Sequence, residues 1–307
     1  MFQAIVLALL LAATATATAT ASGDVLRLGS AHVIVVDDAS GEVLLQKDAG
    51  TAAPIASLTK LMTAMVVLDA GQDMRETVRI DDADRDTLKN TRAGVRIGAL
   101  VTRDTLLELT LIASDNHAAA ALARSFPGGS SAFAQALQRK IDALGLSQTT
   151  LVEPTGLSPG NLASALDMAK VLQATNAYPL IAQITSLPTL EVHVNGSPTQ
   201  VRNTNRLVGS PGWDILSSKT GFTNDAGRCL TMRLRAGGRT VSVVLIGAQA
   251  PSVRAHDAMA IRRWLDGQAP AQVAAQAAPR ARSAIKMLSE SQLAQVAHRS
   301  DTAPDAL

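Results

Sequence analysis

Apolar residues alternate, or run without interruption, near both ends of the chain, and this pattern predicts strands. Residues 31–36 and 42–46 are β-rich runs separated by the turn residues 37–41, which predicts a hairpin. Near the other end, the pattern predicts three antiparallel strands at residues 215–222, 228–235 and 239–247. Gly237-Gly238 favours a tight turn between the last two strands. A sheet built from both chain ends follows from this pattern.

Between these β-rich segments the apolar positions recur at helical spacing. The first helix is predicted over residues 57–70, with Ser57 at its start, and its apolar positions are Leu58, Leu61, Met62, Met65, Val66 and Leu68. The other clear helical segments are residues 105–113, 116–125, 131–144, 163–177 and 252–265, and residues 191–194 are predicted as a strand. The predicted fold is therefore of the α/β class, an antiparallel sheet flanked by helices with a mainly helical region inserted.

The composition of the chain excludes some classes of function. The chain has 307 residues, of which 47% are hydrophobic and only 2% aromatic, so a large core of Ala, Leu, Val and Ile is expected. Few aromatics and a net charge of +2 disfavour stacking on bases, and no nucleic acid partner is expected. The single cysteine, Cys229, excludes an internal disulfide, and its alternating context favours a packed strand residue over a nucleophile.

Both termini differ in composition from the predicted domain at residues 22–267. Residues 1–21 are typical of a secretory signal peptide, because an apolar run over residues 4–13 precedes the cleavage pattern Ala19-Thr20-Ala21, although no Lys or Arg precedes the run. That run is too short for a membrane anchor, so a periplasmic protein without a firm anchor is expected. Residues 268–307 form an Ala/Gln/Pro-rich tail, in which a short solvated helix is favoured over a membrane or partner contact.

Three short strings carry the candidate chemistry, and the first is Ser57-Leu58-Thr59-Lys60. A spacing of three on a helix places the Ser57 hydroxyl within reach of the Lys60 amine. A lysine with the ordinary pKa of about 10.4 is charged at neutral pH. Burial, and the positive charge of Lys219 nearby, would favour the neutral amine that can act as a base. Taken alone, the string is more typical of a helix-capping serine with an exposed lysine.

The second string is Ser114-Asp115-Asn116, and the third is Lys219-Thr220-Gly221. Ser114 offers a hydroxyl that can carry a proton, and Asn116 can hold Lys60 or accept a substrate N–H, although the bare string is also typical of a helix N-cap. Lys219 and Thr220 can bind a substrate carboxylate, and Gly221 lets a substrate backbone approach. One of the backbone N–H groups near Ser57, at the start of the helix, and the N–H of Phe222 are candidate oxyanion donors. An ordinary strand with a solvated lysine is the alternative for the third string.

The ordered trio resembles the signature of penicillin-binding proteins and class A β-lactamases. The chain is most similar to low-molecular-weight penicillin-binding proteins, the serine D-alanyl-D-alanine endopeptidase/carboxypeptidase family, over about residues 31–265. Further matching strings are Pro54-Ile55-Ala56, Leu61-Met62-Thr63-Ala64-Met65, Glu153-Pro154-Thr155-Gly156-Leu157-Ser158, Asn203-Thr204-Asn205 and Phe222-Thr223-Asn224. The resemblance implies a penicillin-binding/β-lactamase-like transpeptidase fold.

The resemblance also implies the chemistry. Ser57 would form an acyl-enzyme with a D-alanine of peptidoglycan stem peptides, Lys60 would be the base and Ser114 a proton relay. Lys219 and Thr220 would bind the substrate or a β-lactam antibiotic that mimics it, and no metal or other cofactor is needed. The short segment after residue 265 favours an endopeptidase over a carboxypeptidase. A β-lactamase using Glu153, and a non-catalytic wall-binding or sensor module, are the remaining alternatives.

Overall fold

The secondary structure of the computed structural model is described for residues 26–89, 91 and 93–267. The strands in this part of the chain are β1 (His32–Asp37), β2 (Val43–Lys47), β3 (Ala53–Pro54), β4 (Thr77–Arg79), β5 (Leu100–Thr102), β6 (Leu162–Ala163), β7 (Thr189–Val194), β8 (Ser197–Arg202), β9 (Asp214–Thr223), β10 (Gly227–Ala236) and β11 (Arg239–Ala248). The α-helices are α1 (Thr59–Asp69), α2 (Arg103–Glu108), α3 (Asn116–Arg124), α4 (Gly129–Ala143), α5 (Ala165–Ala174), α6 (Pro179–Thr185) and α7 (Pro251–Asp266).

The main sheet has five antiparallel strands in the order β2-β1-β11-β10-β9. Strands from the two ends of the described chain meet at its centre, where β1 pairs with β11, for example Ile34 opposite Val244. The C-terminal segment forms the three hairpin-linked strands β9, β10 and β11. Of these, β11 pairs with β1, and β9 lies at one edge of the sheet. The predicted sheet from both chain ends, with a helical region between them, is confirmed.

Helices cover both faces of this sheet, which explains why its central strands are apolar on both faces. Along β1, Ile34 packs into the core shared with the inserted helical region. Val33 and Val35 pack instead into a second core, which contains Ile261 of α7. Successive strand residues point to opposite faces, so a strand covered twice needs apolar residues at consecutive positions. Cys229 lies in β10, fully buried, as the sequence favours.

Helix α1 lies at the centre of the inserted region. Its residues from Thr59 to Val67 are all buried, so the helix is covered by protein on every side and not only along one apolar stripe. The helix is preceded by a 3₁₀ turn over Ala56–Leu58, and Ser57 lies in that turn rather than in the helix itself. A polar residue on α1, above all Lys60, is therefore held inside the protein.

The helical prediction for residues 105–113 needs a correction. An α-helix ends at Glu108 and a π-helical turn follows over Leu109–Ala113. Apolar periodicity does not distinguish the two forms here, because four consecutive residues, Leu109–Ile112, are buried and no single face stands out. The wider turn ends at Ser114, which adopts a left-handed conformation with φ of 60°. Such turns are frequent at functional sites.

The region after α5 also departs from the prediction. Helix α6, with Pro179 at its first turn, was not predicted, and the strand expected at residues 191–194 is one arm of a hairpin, β7–β8. The turn of that hairpin is Asn195-Gly196, and both residues have positive φ, 51° and 74°. Asn-Gly between two extended runs is a strong hairpin signal. The polar residues of β8 concealed the second strand.

The predictions for residues 1–21 and 268–307 lie outside the described residues. Among the helices that the structure describes, none combines the length and the hydropathy that a membrane crossing requires.

Candidate active site

A strained turn presents Ser57 at the junction of the sheet and the helical region. The residue before it, Ala56, has a positive φ of 48°, which is uncommon for a residue other than glycine. Two glycines crowd this turn. A Cβ atom at Gly156 would lie 1.9 Å from the carbonyl oxygen of Ala56, and one at Gly221 would lie 3.0 Å from the backbone nitrogen of Ser57. The turn is therefore held between two backbones that only glycine allows to come so close.

Lys60 lies one helical turn beyond Ser57 and is fully buried. Its Nζ is 3.1 Å from Ser57 Oγ, and it donates to Asn116 Oδ1 at 2.7 Å and to the carbonyl oxygen of Thr155 at 2.6 Å. These two acceptors hold the amine beside the Ser57 hydroxyl. The i, i+3 pairing predicted from the sequence is thus present, and the alternative with an exposed lysine is wrong.

Burial lowers the pKa of Lys60 from 10.5 to about 8, although the carboxylates of Glu153, Asp115 and Asp86 act in the opposite direction. The pKa of Lys219 is lowered well below its ordinary value, first by burial and then by the positive charges of Lys60 and Arg254. The sequence suggested that Lys219 would help to lower the pKa of Lys60. In the structure burial has that effect on Lys60, and the repulsion between the two lysines lowers the pKa of Lys219.

Ser114 faces Lys219 and not Lys60. Its Oγ accepts a hydrogen bond from Lys219 Nζ at 2.8 Å. The next residue, Asp115, caps α3 by accepting from the N–H of Ala118 at 2.9 Å, so the N-cap interpretation of this string also holds for Asp115. Asp115 additionally accepts from the N–H groups of Gly94 and Val95, which ties the segment around residue 94 to the site.

Asn116 has both ends of its amide engaged. Its Oδ1 accepts from Lys60, and its Nδ2 donates to Thr91 Oγ1 at 2.6 Å. Of the two roles considered from the sequence, holding Lys60 in place is the one that the geometry supports.

Strand β9 forms the opposite wall of the site and carries Lys219, Thr220 and Gly221, as predicted. Lys219 is 1% exposed, and Thr220 Oγ1 donates to Thr204 Oγ1 at 2.7 Å. Because β9 is an edge strand of the main sheet, one side of its backbone is directed away from β10. A Cβ atom on Gly221 would lie 3.0 Å from the Ser57 nitrogen, so β9 passes close to Ser57, as a pair of oxyanion donors from Ser57 and Phe222 would require.

Sequence reasoning missed three contributors to the site. Thr155 supplies the carbonyl that binds Lys60, and Thr204 supports Thr220. Both lie in strings that carry the family resemblance but to which the sequence assigns no chemical role. Arg254, at the start of α7, contributes positive charge near Lys219 and donates to the carbonyl of Cys229 at 3.1 Å. No local signal marks Arg254, because only the fold brings α7 to this wall.

Glu153 has a structural role in the loop that follows it. Its carboxylate accepts from the N–H groups of Thr155, at 2.7 Å, and of Gly156, at 2.6 Å. It also accepts from the Thr155 hydroxyl at 2.5 Å. A carboxylate occupied in this way shapes the loop that presents the Thr155 carbonyl, which disfavours the water-positioning role of a β-lactamase glutamate. Among the described residues, no three His, Cys, Asp or Glu side chains are grouped as metal ligands would be.

Comparison with known proteins agrees with this geometry. A family model described as D-alanyl-D-alanine carboxypeptidase matches residues 15–250. The chain belongs to this family of serine D-alanyl-D-alanine peptidases. The D-alanyl-D-alanine endopeptidase of Pseudomonas aeruginosa is 40% identical over 242 residues, 78% of either chain. The enzyme of the same name from Escherichia coli is 38% identical over the same shares.

The fold of this peptidase is also that of its solved relatives. A crystal structure of a D-alanyl-D-alanine carboxypeptidase from Mycobacterium tuberculosis superimposes with a TM-score of 0.73 at 27% identity, covering 82% of this chain and 96% of that one. The predicted penicillin-binding transpeptidase fold is confirmed, and the protein is a serine-type D-alanyl-D-alanine peptidase, a hydrolase.

The pKa of Lys60 leads to a prediction for the peptidase. Only the neutral amine can take a proton, so the rate of Ser57 acylation should fall about tenfold for each pH unit below about 8 and level off above it. The measurement is the second-order rate of penicillin acylation between pH 5.5 and 9, with circular dichroism at each pH as a control for folding. A rate that stays constant from pH 6 to 8 would contradict Lys60 as the base.

Proposed function

We propose that this peptidase hydrolyses D-alanyl bonds in peptidoglycan stem peptides through a Ser57 acyl-enzyme. The observation that carries the proposal is the buried Lys60 amine, 3.1 Å from the Ser57 hydroxyl and with a pKa near 8. A lysine in that state can accept the hydroxyl proton, whereas an ordinary surface lysine cannot.

Acylation begins when Ser57 Oγ attacks the carbonyl carbon of the acyl D-alanine and its proton passes to Lys60 Nζ. The N–H groups of Ser57 and Phe222 stabilise the negative charge that develops on the carbonyl oxygen. The proton then reaches the leaving nitrogen, and the C–N bond breaks. Ser114 Oγ, hydrogen-bonded to Lys219, serves as the relay on the side of the leaving group.

The leaving residue carries a carboxylate, and Lys219 and Thr220 bind it. Arg254 adds positive charge on the same wall, which favours an anionic leaving residue. Hydrolysis follows when a water molecule attacks the ester carbonyl and gives a proton to the neutral Lys60. The bond between the carbonyl carbon and Ser57 Oγ then breaks, and Lys60 returns the proton to Ser57 Oγ, which restores the free enzyme. A β-lactam fits the same scheme, since its strained amide opens on Ser57 but its leaving nitrogen stays attached and blocks water.

Cleavage of cross-links is the favoured activity. The two bacterial relatives described above, both named endopeptidases, are 38–40% identical to this chain. The leader at residues 1–21 would direct export, and the enzyme would act in the periplasm on cell-wall biogenesis and cell shape. Carboxypeptidase action on pentapeptides is the second candidate, because the matching family model carries that description.

The test uses the purified mature protein with two muropeptides, a cross-linked dimer and a monomeric pentapeptide, and reads the products by mass. Conversion of dimer to monomers is the expected result. Loss of one alanine from the pentapeptide alone would replace the endopeptidase proposal with the carboxypeptidase alternative. Absence of turnover on both, together with retained penicillin labelling, would indicate the non-catalytic module.

A further inference from the structure

The direction of the lone pair on the Lys60 amine decides whether Ser57 can lose its proton. A neutral amine accepts a proton only through its single lone pair, because its other two free positions carry hydrogens. Lys60 Nζ donates to Asn116 Oδ1 at 2.7 Å and to the Thr155 carbonyl at 2.6 Å, and Ser57 Oγ lies at 3.1 Å. The two acceptors take both hydrogens of the neutral amine, so the lone pair is directed at the Ser57 hydroxyl.

This arrangement depends on which end of the Asn116 amide faces Lys60. With its oxygen toward Nζ, the amide takes a hydrogen and leaves the lone pair to Ser57. With the amide reversed, its NH₂ group would donate to the lone pair, and a hydrogen of Lys60 would turn toward Ser57 Oγ instead. The base would then be blocked, although every group remained in its place.

A hydrogen-bond chain that ends at Asp86 selects the productive orientation. An ionised carboxylate only accepts hydrogen bonds. Thr91 Oγ1 lies 2.6 Å from Asp86 Oδ2, so the hydroxyl donates its one hydrogen there. The Thr91 oxygen can then only accept from Asn116, whose amide nitrogen lies 2.6 Å away. The amide must therefore present its NH₂ group to Thr91 and its oxygen to Lys60.

The charge on Asp86 is maintained by the same contacts. Burial acts to raise the pKa of this carboxyl group, but hydrogen bonds from the Thr91 hydroxyl and from backbone N–H groups outweigh it and lower the pKa below its ordinary value. Asp86 is therefore ionised throughout the pH range in which Lys60 changes its charge, and the polarity of the chain is constant over that range.

Thr91 is anchored by more than its hydroxyl. Its N–H also donates to Asp86 Oδ2, at 2.7 Å. The N–H groups of Gly94 and Val95 donate to Asp115, which attaches this segment to the start of α3. Removal of the hydroxyl alone should therefore leave the backbone at residue 91 in place and act mainly on the amide of Asn116.

We propose that Thr91 is a positioning residue of the peptidase, which acts through Asn116 and not on the reacting atoms. Its hydroxyl, which donates to Asp86, holds the Asn116 amide with the oxygen toward Lys60. The lone pair of Lys60 is thereby left free for the proton of Ser57. This inference rests on the proposed function, because it takes Lys60 as the base of acylation.

The experiment measures the second-order rate of penicillin acylation at pH 9, where Lys60 is mostly neutral because its pKa is about 8. Thr91→Val replaces the hydroxyl by a methyl group of similar size. It should lower the rate about tenfold, because the loss of one hydrogen bond frees the amide to reverse. Thr91→Ser keeps the hydroxyl and should recover most of that loss. Circular dichroism and urea unfolding establish that each variant is folded under the assay conditions.

A double-mutant cycle with Asn116→Ala tests the route of the effect. In that background there is no amide to orient, so Thr91→Val should change the remaining rate by less than about twofold. Equal fractional losses in the two backgrounds would show that Thr91 only supports the structure of the cleft, and this would overturn the inference. A wild-type rate in the single variant Thr91→Val would overturn it as well.

Thr51→Val is the matched control. The exposed Thr51 hydroxyl also donates to an aspartate at 2.6 Å, but its partner is Asp48 rather than a residue of the chain to Lys60. This variant should keep the wild-type rate, and a loss as large as that of Thr91→Val would contradict the inference. A wild-type protein that forms no adduct on Ser57 would instead count against the proposed function.

Discussion

Replacing Ser57 by alanine should abolish both hydrolysis of D-alanyl peptides and covalent labelling by penicillin. The expected fall in kcat is on the order of 10⁴-fold or more, because the side chain that forms the ester is gone and only binding and oxyanion stabilisation remain. Labelling is measured with a fluorescent penicillin on denaturing gels, and hydrolysis by mass spectrometry. No other serine in the described residues lies within hydrogen-bonding distance of Lys60 Nζ.

Two variants make this result specific. Ser131→Ala removes an exposed hydroxyl on α4 and should keep wild-type labelling. Ser114→Ala removes the partner of Lys219 and should slow labelling without eliminating it, since Ser57 and Lys60 remain paired. A stable adduct on Ser57→Ala, located by peptide mapping on another residue, would refute the assignment of the nucleophile.

Replacing Gly156 by alanine should disable the site without touching any reacting group. The added Cβ would lie 1.9 Å from the Ala56 carbonyl oxygen and 2.8 Å from the Ser57 nitrogen, and both are backbone atoms that cannot rotate away. Gly156 also has φ of 83°, which alanine adopts only with strain. We expect a loss of more than about 3 kcal/mol in the free energy of unfolding. Penicillin acylation of the folded fraction should slow at least about a hundredfold, because a misplaced nucleophile loses its alignment.

Gly145→Ala separates the two causes. Gly145 has φ of 60°, but no atom lies within 4 Å of the position its Cβ would take, so that variant should lose only the conformational strain of about 1 kcal/mol. Urea unfolding gives the free energy of unfolding of both variants. Acylation rates, measured without urea at a temperature at which both variants are fully folded, give the effect on the site. Equal losses in the two variants would show that the close contact with Ala56 is unimportant.

Much of the architecture could be predicted because it depends on local periodicity. The apolar residues of α1 recur every three or four positions, and the strands near both ends alternate or run apolar, so their approximate bounds follow from burial. The π-helical turn at Leu109–Ala113, helix α6 and strand β8 were missed. The π-helical turn depends on how the surrounding structure widens the helix. Strand β8 consists mostly of exposed polar residues, so it lacks the alternation of apolar and polar positions that marks a strand.

The sequence by itself determined the three strings that supply the reacting groups and the pairing of Ser57 with Lys60. Ser57 and Lys60 are three residues apart, and a helical turn dictates their proximity. The contacts of the other residues were decided only by the tertiary structure. Ser114 binds Lys219, Asn116 binds Lys60, and the Thr155 carbonyl completes the lysine site, across separations of 105, 56 and 95 residues. Burial, which lowers the pKa of both lysines, is likewise a property of the packed protein, because it depends on which distant atoms exclude water from each amine.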